Sequence, residues 1–315
     1  MRVLVTGAAG FIGYHTCIRL QSEGIFVVGL DNFSPYYSVD LKRDRVKELE
    51  KVGVHVVAQP VQNQTFLQTL VQKHEISHII HLAAQAGVRY SLEDPRAYVE
   101  SNIDGFLSVL ETVRAYPHIV TVWASSSSVY GENKKIPFSE KDRTDSPANF
   151  YGATKKANEL MAYAYHSLFK MKLIGLRFFT VYGPWGRPDM AYFSFADKIM
   201  KGEEIEVFGH GKLRRDFTYI DDIVDGICAA MNAPTAHDVF NLGNSHPESV
   251  LELVEVLESS LGRKAKLRLV DRPAGDIEET FADCSHAKEE LGFDPKISLK
   301  EGIERFSDWF RSYHT

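Results

Sequence analysis

Tyr151 and Lys155 stand four residues apart in a helix-favouring run over residues 151–170, which puts both side chains on one face about one turn apart. A free phenol titrates at about 10, so it is a poor base at neutral pH. A neighbouring ammonium stabilises the phenolate and lowers that value. A shift of roughly 3 units corresponds to about 4 kcal/mol. Such a pair can take a proton from a hydroxyl group and return it. The same spacing also occurs on solvated helix faces, so the pair needs company. Ser125, Ser126, Ser127 and Ser128 follow an apolar, strand-like run at residues 119–124. Hydroxyls there fall at the carboxyl edge of a sheet, where open α/β folds bind ligands.

A second group of residues is built for phosphate. Gly7, Gly10 and Gly13 lie in Gly7-Ala8-Ala9-Gly10-Phe11-Ile12-Gly13, directly after the apolar run 3–5. Glycines at this spacing let the chain turn sharply and bring backbone N–H groups onto a pyrophosphate. They also let the next helix pack on the sheet with its positive end facing the phosphate. Between a strand and a helix the triplet is a strong sign of dinucleotide binding. The next apolar run, 26–30, ends at Asp31 and Asn32. A carboxylate there accepts from both ribose hydroxyls and repels a 2′-phosphate, which favours NAD over NADP.

The elements that must hold these residues are legible in the first half of the chain. Apolar runs at 3–5, 26–30, 54–58, 78–83, 119–124 and 173–178 alternate with helical stretches at 16–23, 41–51, 96–116 and 151–170. That rhythm predicts an α/β fold: a doubly wound parallel-sheet Rossmann domain over residues 1–178. After residue 179 the rhythm breaks into longer loops, and residues 179–315 read as a smaller α/β substrate-binding domain. A return to the first domain is expected near 217–240. Two later helices are clear, 249–261, with Ser249 and Glu252 in capping-box spacing, and 299–313.

Composition narrows the function. The chain has 315 residues, 44% of them hydrophobic, and a net charge of −6, so it can bury a sizeable core and lacks the basic balance of a nucleic-acid binder. Cys17, Cys228 and Cys284 form no disulfide framework, which points to a cytoplasmic setting. No apolar run reaches membrane-span length, and the strand pattern at the N-terminus leaves no room for a signal peptide. His74, His78 and His81 show no metal-ligand spacing, and no metal is expected.

The glycine triplet, Asp31, Leu82-Ala83-Ala84, Asn102, the serine run ending in Val129-Tyr130-Gly131, and Tyr151 with Lys155 resemble, in type and order, the extended short-chain dehydrogenase/reductase family. The resemblance runs nearly end to end. It implies that Tyr151 is the acid/base, that Lys155 binds ribose and tunes the tyrosine, and that Ser126 hydrogen-bonds the reacting hydroxyl. It also implies that Phe11, Ile12, Asn32, Leu82, Ala83, Ala84 and Asn102 belong to the NAD site. Within that family, four segments resemble the UDP-glucuronate 4-epimerases: residues 84–91, 124–131, 153–161 and, most tellingly, 176–190 with Gly186-Arg187-Pro188-Asp189-Met190. This implies NAD-dependent C4 epimerisation of UDP-glucuronate to UDP-galacturonate through a transient 4-keto sugar.

A 4-keto uronate is a β-keto acid and loses carbon dioxide unless its carboxylate is restrained. Arg187 is the candidate restraint, with Ser127, Ser128 and Thr180 as helper donors. The resemblance further implies that Arg215, Arg89, Arg272 and Asp276 contact the UDP-sugar, and that helices 96–116 and 151–170 pair two subunits in a homodimer. One departure stands out: Pro60, between Gln59 and Gln62, occupies the place of the acid that contacts adenine in relatives. Competing readings are a UDP-glucuronate decarboxylase, which carries Glu at the place of Ser128, and a UDP-glucose 4-epimerase, against which Arg187 counts. A 4,6-dehydratase would carry an Asp-Glu pair at the places of Ser127 and Ser128. An NAD-binding sensor on the same fold would lack the Tyr/Lys pair.

Overall fold

A computed structural model of the chain describes residues 1–271 and 279–314. Arg272 and Asp276 therefore lie outside the described residues. The strands are β1 (Arg2–Thr6), β2 (Phe26–Asp31), β3 (His55–Ala58), β4 (His78–His81), β5 (Val120–Ser126) and β6 (Lys172–Phe178), followed by β7 (Thr180–Tyr182), β8 (Glu204–Phe208) and β9 (Arg214–Tyr219). The last are β10 (His237–Leu242), β11 (Pro247–Ser249), β12 (Lys266–Val270) and β13 (Glu279–Thr280). The helices begin with α1 (Phe11–Ser22), α2 (Val39–Lys51), α3 (Gln64–His74), α4 (Tyr90–Glu93), α5 (Pro95–Tyr98) and α6 (Gly105–Ala115). They continue with α7 (Phe150–Phe169), α8 (Ala191–Lys201), α9 (Ile220–Met231), α10 (Val250–Leu261), α11 (Ser285–Leu291) and α12 (Leu299–His314).

Seven strands form one parallel sheet in the order β10-β6-β5-β4-β1-β2-β3. Its central strands are mostly apolar because helices cover both faces: Val3, Leu4 and Val5 of β1 have no exposed surface. The chain leaves β1 towards β2 and β3, then crosses back to β4 on the other side of β1. That reversal opens a crevice at the carboxyl ends of β1 and β4, the usual ligand position in such sheets. The seventh strand, β10, comes from beyond residue 179 and joins β6 after α9, so residues 1–178 do not complete the sheet alone.

The remaining elements form a smaller layer. β9 is its centre, pairing with β11, β13 and β7, and β8 pairs with β12. The α10 capping box is present, with the Ser249 hydroxyl accepting from the Glu252 N–H and the Glu252 carboxylate accepting from the Ser249 N–H. The reading of this half as loop-rich misses α8, α9 and α11. Among the described residues no helix is long and apolar enough to cross a membrane.

The largest correction concerns residues 96–116, read as one helix. The stretch breaks into α5, a wide π-turn over Val99–Asp104, and α6. The π-turn adds one residue to the helical ring, which turns Asn102 inward. Its side chain accepts from the Gln85 N–H at 2.8 Å and donates to the Gln85 carbonyl and to the Thr154 hydroxyl. π-turns of this kind recur at functional sites.

Candidate active site

The crevice is lined by the glycine loop, by Asp31 and Asn32 after β2, by Leu82, Ala83 and Ala84 after β4, by Ser125 and Ser126 at the end of β5, and by Tyr151, Lys155 and Arg187. Gly7 takes φ 74°, and a Cβ there would lie 2.7 Å from the Ala83 nitrogen. A Cβ on Gly13 would collide with the Gly7 carbonyl oxygen. The missing side chains leave a groove at the N-terminus of α1, shaped for a diphosphate. Asp31 braces that loop. Its carboxylate accepts from the Ala9 N–H at 3.0 Å and from the Phe33 N–H at 2.8 Å. Cradle, helix end and carboxylate suit a dinucleotide without a 2′-phosphate.

The chemistry-bearing cluster is held by α7. Asn149 caps the helix by accepting from the Gly152 N–H at 2.8 Å. Asn158 donates to the Asn102 carbonyl at 2.7 Å, tying α7 to the π-turn. Deeper in, the carboxylate of Glu159 accepts from Arg177 of β6 at 2.7 and 2.9 Å and from the Ser125 hydroxyl at 2.8 Å. Arg177 also donates to Tyr130, which donates to Asn241 of β10 at 2.6 Å. This chain of polar groups locks the ends of β5, β6 and β10 to the helix that carries Tyr151.

Lys155 is only 3% exposed, and its ammonium donates to the Ala124 carbonyl at 2.8 Å. Burial lowers it to about 8. Burial pushes the Tyr151 phenol up, while the Ser126 hydroxyl and the positive charge of Arg187 pull it down. The sequence pointed to Lys155, together with the positive ring of a bound nicotinamide, as the groups that lower Tyr151. In the folded protein the opposing influences are Ser126 and Arg187, because the Lys155 ammonium is turned to the strand carbonyl.

Arg187 reaches this cluster from the segment before α8, and its side chain is 19% exposed. Its guanidinium pairs with Asp189 through Nε, at 3.0 Å, and Nη2, and it stacks 5.8 Å from the centre of the Tyr36 ring. Tyr36 in turn donates to Asp189 at 3.0 Å. Nearby, the fully buried Arg45 donates to the Trp185, Gly186 and Ala9 carbonyls and so joins the Arg187 segment to the glycine loop.

Other residues singled out from sequence lie elsewhere. Ser127 and Ser128 fall in a 3₁₀ turn beyond β5, with the Ser128 N–H donating to the Ser126 hydroxyl; neither lines the crevice. Thr180 opens β7 opposite Phe217. Arg89 precedes α4 and stacks on Phe208 of the smaller layer. Arg215 lies on β9 between Glu248 and Thr280. Asn102 supports the Gln85 loop from behind. Sequence reasoning missed Tyr36, Tyr37, Lys42, Gln85 and Met190, which also line the crevice. The adjacent tyrosines in a polar loop just after Asp31 were the available signal for the first two.

The chain belongs to the NAD dependent epimerase/dehydratase family, which it matches over residues 3–243. It is 49% identical over 331 residues to UDP-glucuronate 4-epimerase 4 of Arabidopsis thaliana, covering 99% of this chain and 76% of that protein. Among solved structures it resembles a UDP-glucuronic acid 4-epimerase from Bacillus cereus bound to UDP-glucuronic acid and NAD. The TM-score is 0.93 and the identity 35%, over 99% of this chain and 100% of that one. A UDP-glucose 4-epimerase from Thermotoga maritima, solved with UDP-glucose, matches at 0.91 and 30% over 100% of both chains.

Proposed function

We propose that this enzyme converts UDP-glucuronate to UDP-galacturonate by epimerisation at C4, through a transient 4-keto sugar and with NAD retained in the crevice. The observation that carries this reading is the meeting of Tyr151, Ser126 and Arg187 in one crevice with the glycine loop. When bound, NAD supplies the hydride acceptor and donor and a pyridinium charge. Tyr151 takes the proton of the C4 hydroxyl and later gives it back, with Ser126 hydrogen-bonded to the same oxygen. Burial wins over the opposing pull of Ser126 and Arg187 and holds the phenol above its ordinary value, so the tyrosine rests protonated until the pyridinium charge of bound NAD adds to that pull. Arg187 holds the sugar carboxylate so that the bond to carbon dioxide stays out of line with the C4 ketone. Asp189 occupies Nε and Nη2 of that guanidinium and orients it, which leaves its other donors for the substrate. Arg215 and, in the segment outside the described residues, Arg272 and Asp276 are assigned to the UDP. The Arabidopsis and Bacillus relatives, named for this activity, support the choice of sugar. The same reading makes the enzyme a cytoplasmic homodimer.

Incubation with UDP-glucuronate and with UDP-glucose, followed by NMR of the products, tests the assignment. The wild type is expected to form UDP-galacturonate. Arg187→Ala is expected to lose about 10–200-fold in activity on the uronate and to release more decarboxylated pentose; UDP-glucose loses less, only what Tyr151 loses when the neighbouring charge is gone. Arg187→Ala also strands Asp189, so the double variant Arg187→Ala/Asp189→Ala is run beside it. Equal damage to both sugars in both variants would show that Arg187 is not the carboxylate clamp.

A further inference from the structure

At the far end of the crevice, past Asp31, the chain leaves β3 through Gln59, Pro60, Val61 and Gln62. Gln59, Val61 and Gln62 line the crevice there. The amide of Gln62 is fixed in one orientation. Its Nε2 donates to the Glu100 carbonyl at 2.9 Å, and the flipped amide would set two acceptors against each other. That carbonyl is presented by the π-turn, where it also accepts from the Gly105 N–H. The main chain of Gln62 is held as well, its carbonyl accepting from the Ser108 hydroxyl at 3.1 Å and from the Gln64 N–H. With the nitrogen committed, Oε1 is left buried and without a hydrogen-bond partner among the described residues. An unsatisfied buried acceptor is costly, and this one belongs to a residue that lines a ligand crevice.

We infer that Gln62 reads the base of the bound dinucleotide: its Oε1 accepts from the exocyclic amine of adenine, in place of the acid whose position Pro60 fills. The inference rests on the reading that the crevice takes NAD with its ribose at Asp31. Asp31 pairs with Ala58 at the ends of β2 and β3, so a base attached to a ribose at Asp31 has the turn Gln59–Gln62 as its neighbouring crevice wall. A neutral amide accepts only from a donor. It therefore favours adenine over hypoxanthine, whose carbonyl at the same ring position turns an acceptor against Oε1.

The test is a retention assay. Purified protein is equilibrated with equimolar NAD and its hypoxanthine analogue, freed of unbound nucleotide, denatured, and the released dinucleotides are separated and counted. The wild type is expected to hold NAD in at least about fivefold excess, the effect of one buried hydrogen bond replaced by an unsatisfied pair. Gln62→Met, of similar length and without an acceptor for the amine, is expected to bring the ratio close to one while still retaining nucleotide. A wild-type ratio near one, or an unchanged ratio in Gln62→Met, overturns the inference. The wild-type ratio decides alone if the variant does not fold. If the wild type retains neither dinucleotide, it is the NAD reading of the crevice that fails.

Discussion

Lys155, assigned above to the reaction, weighs on the fold that holds it. Its ammonium is lowered to about 8 by burial, whereas a lysine in an unfolded chain keeps its proton to about 10.4. Between those values the unfolded chain binds more protons than the folded one, so this residue makes stability rise with pH across that window. Below about pH 8 both states are protonated, and the full cost, on the order of 3 kcal/mol, falls on the folded state. Lys155→Met removes that cost. Denaturant unfolding without added nucleotide is expected to show the variant gaining on the wild type most at pH 7, with the gap shrinking towards pH 10. A gap independent of pH would mean that the ammonium is not desolvated in the fold. The same variant is expected to be nearly inactive, which separates a catalytic group from a structural one.

Helix α7 and strands β5 and β6 gain their alignment from the pair Glu159 and Arg177, whose side chains are only 6% and 5% exposed. A buried ion pair is weak evidence of stability taken whole, but removing one partner strands the other charge. Arg177→Met is expected to destabilise the protein by about 3–5 kcal/mol, measured by the shift in denaturant midpoint. Arg177→Met/Glu159→Gln should recover part of the loss, because no charge is then left alone. Both variants should lower turnover, since Ser125 donates to Glu159 and is followed directly by Ser126. If Arg177→Met costs no more than a surface substitution, the pair does not hold these elements together.

Seen as a whole molecule, the large sheet and the smaller layer share the crevice: the glycine loop and α7 belong to one, and the Arg187 segment leads into the other through α8. The outer surface of α6 and α7 is unusually apolar for solvent-facing helices. Leu107, Leu160, Tyr163 and Leu168 are 40%, 60%, 62% and 72% exposed. Such patches mark contact surfaces, which favours the homodimer. Light scattering is expected to give twice the chain mass of 35.6 kDa, and Leu160→Glu/Tyr163→Glu is expected to give a monomer that still retains NAD. A wild type that is monomeric at micromolar concentration would remove the dimer from the reading.

The amino-acid sequence by itself determined the parts of this protein that depend on short-range pattern. Strands covered by helices on both faces are mostly apolar, so β1 to β6 and the fold class were readable from six apolar runs. The glycine loop was readable because only glycine permits the turn at Gly7 and the close approach at Gly13. Tyr151 and Lys155 were legible as a pair because helical spacing puts them on one face and the serines at 125–128 follow a strand run that ends at the same sheet edge. What only the tertiary structure decided depends on contacts between residues far apart in the chain. The π-turn between α5 and α6 looks like an ordinary helix locally; it exists where Asn102 must reach Gln85 and Thr154. The upward pull of burial on Tyr151 could not be read from Lys155 four residues away, because a carbonyl on β5 claims the ammonium while Arg187, 36 positions on in the sequence, supplies the opposing charge. The orphaned oxygen of Gln62 becomes visible only when Glu100 is brought beside it. Hydrophobic period and local spacing are written into neighbouring residues, whereas electrostatic balance and hydrogen-bond satisfaction belong to whichever groups the fold makes neighbours.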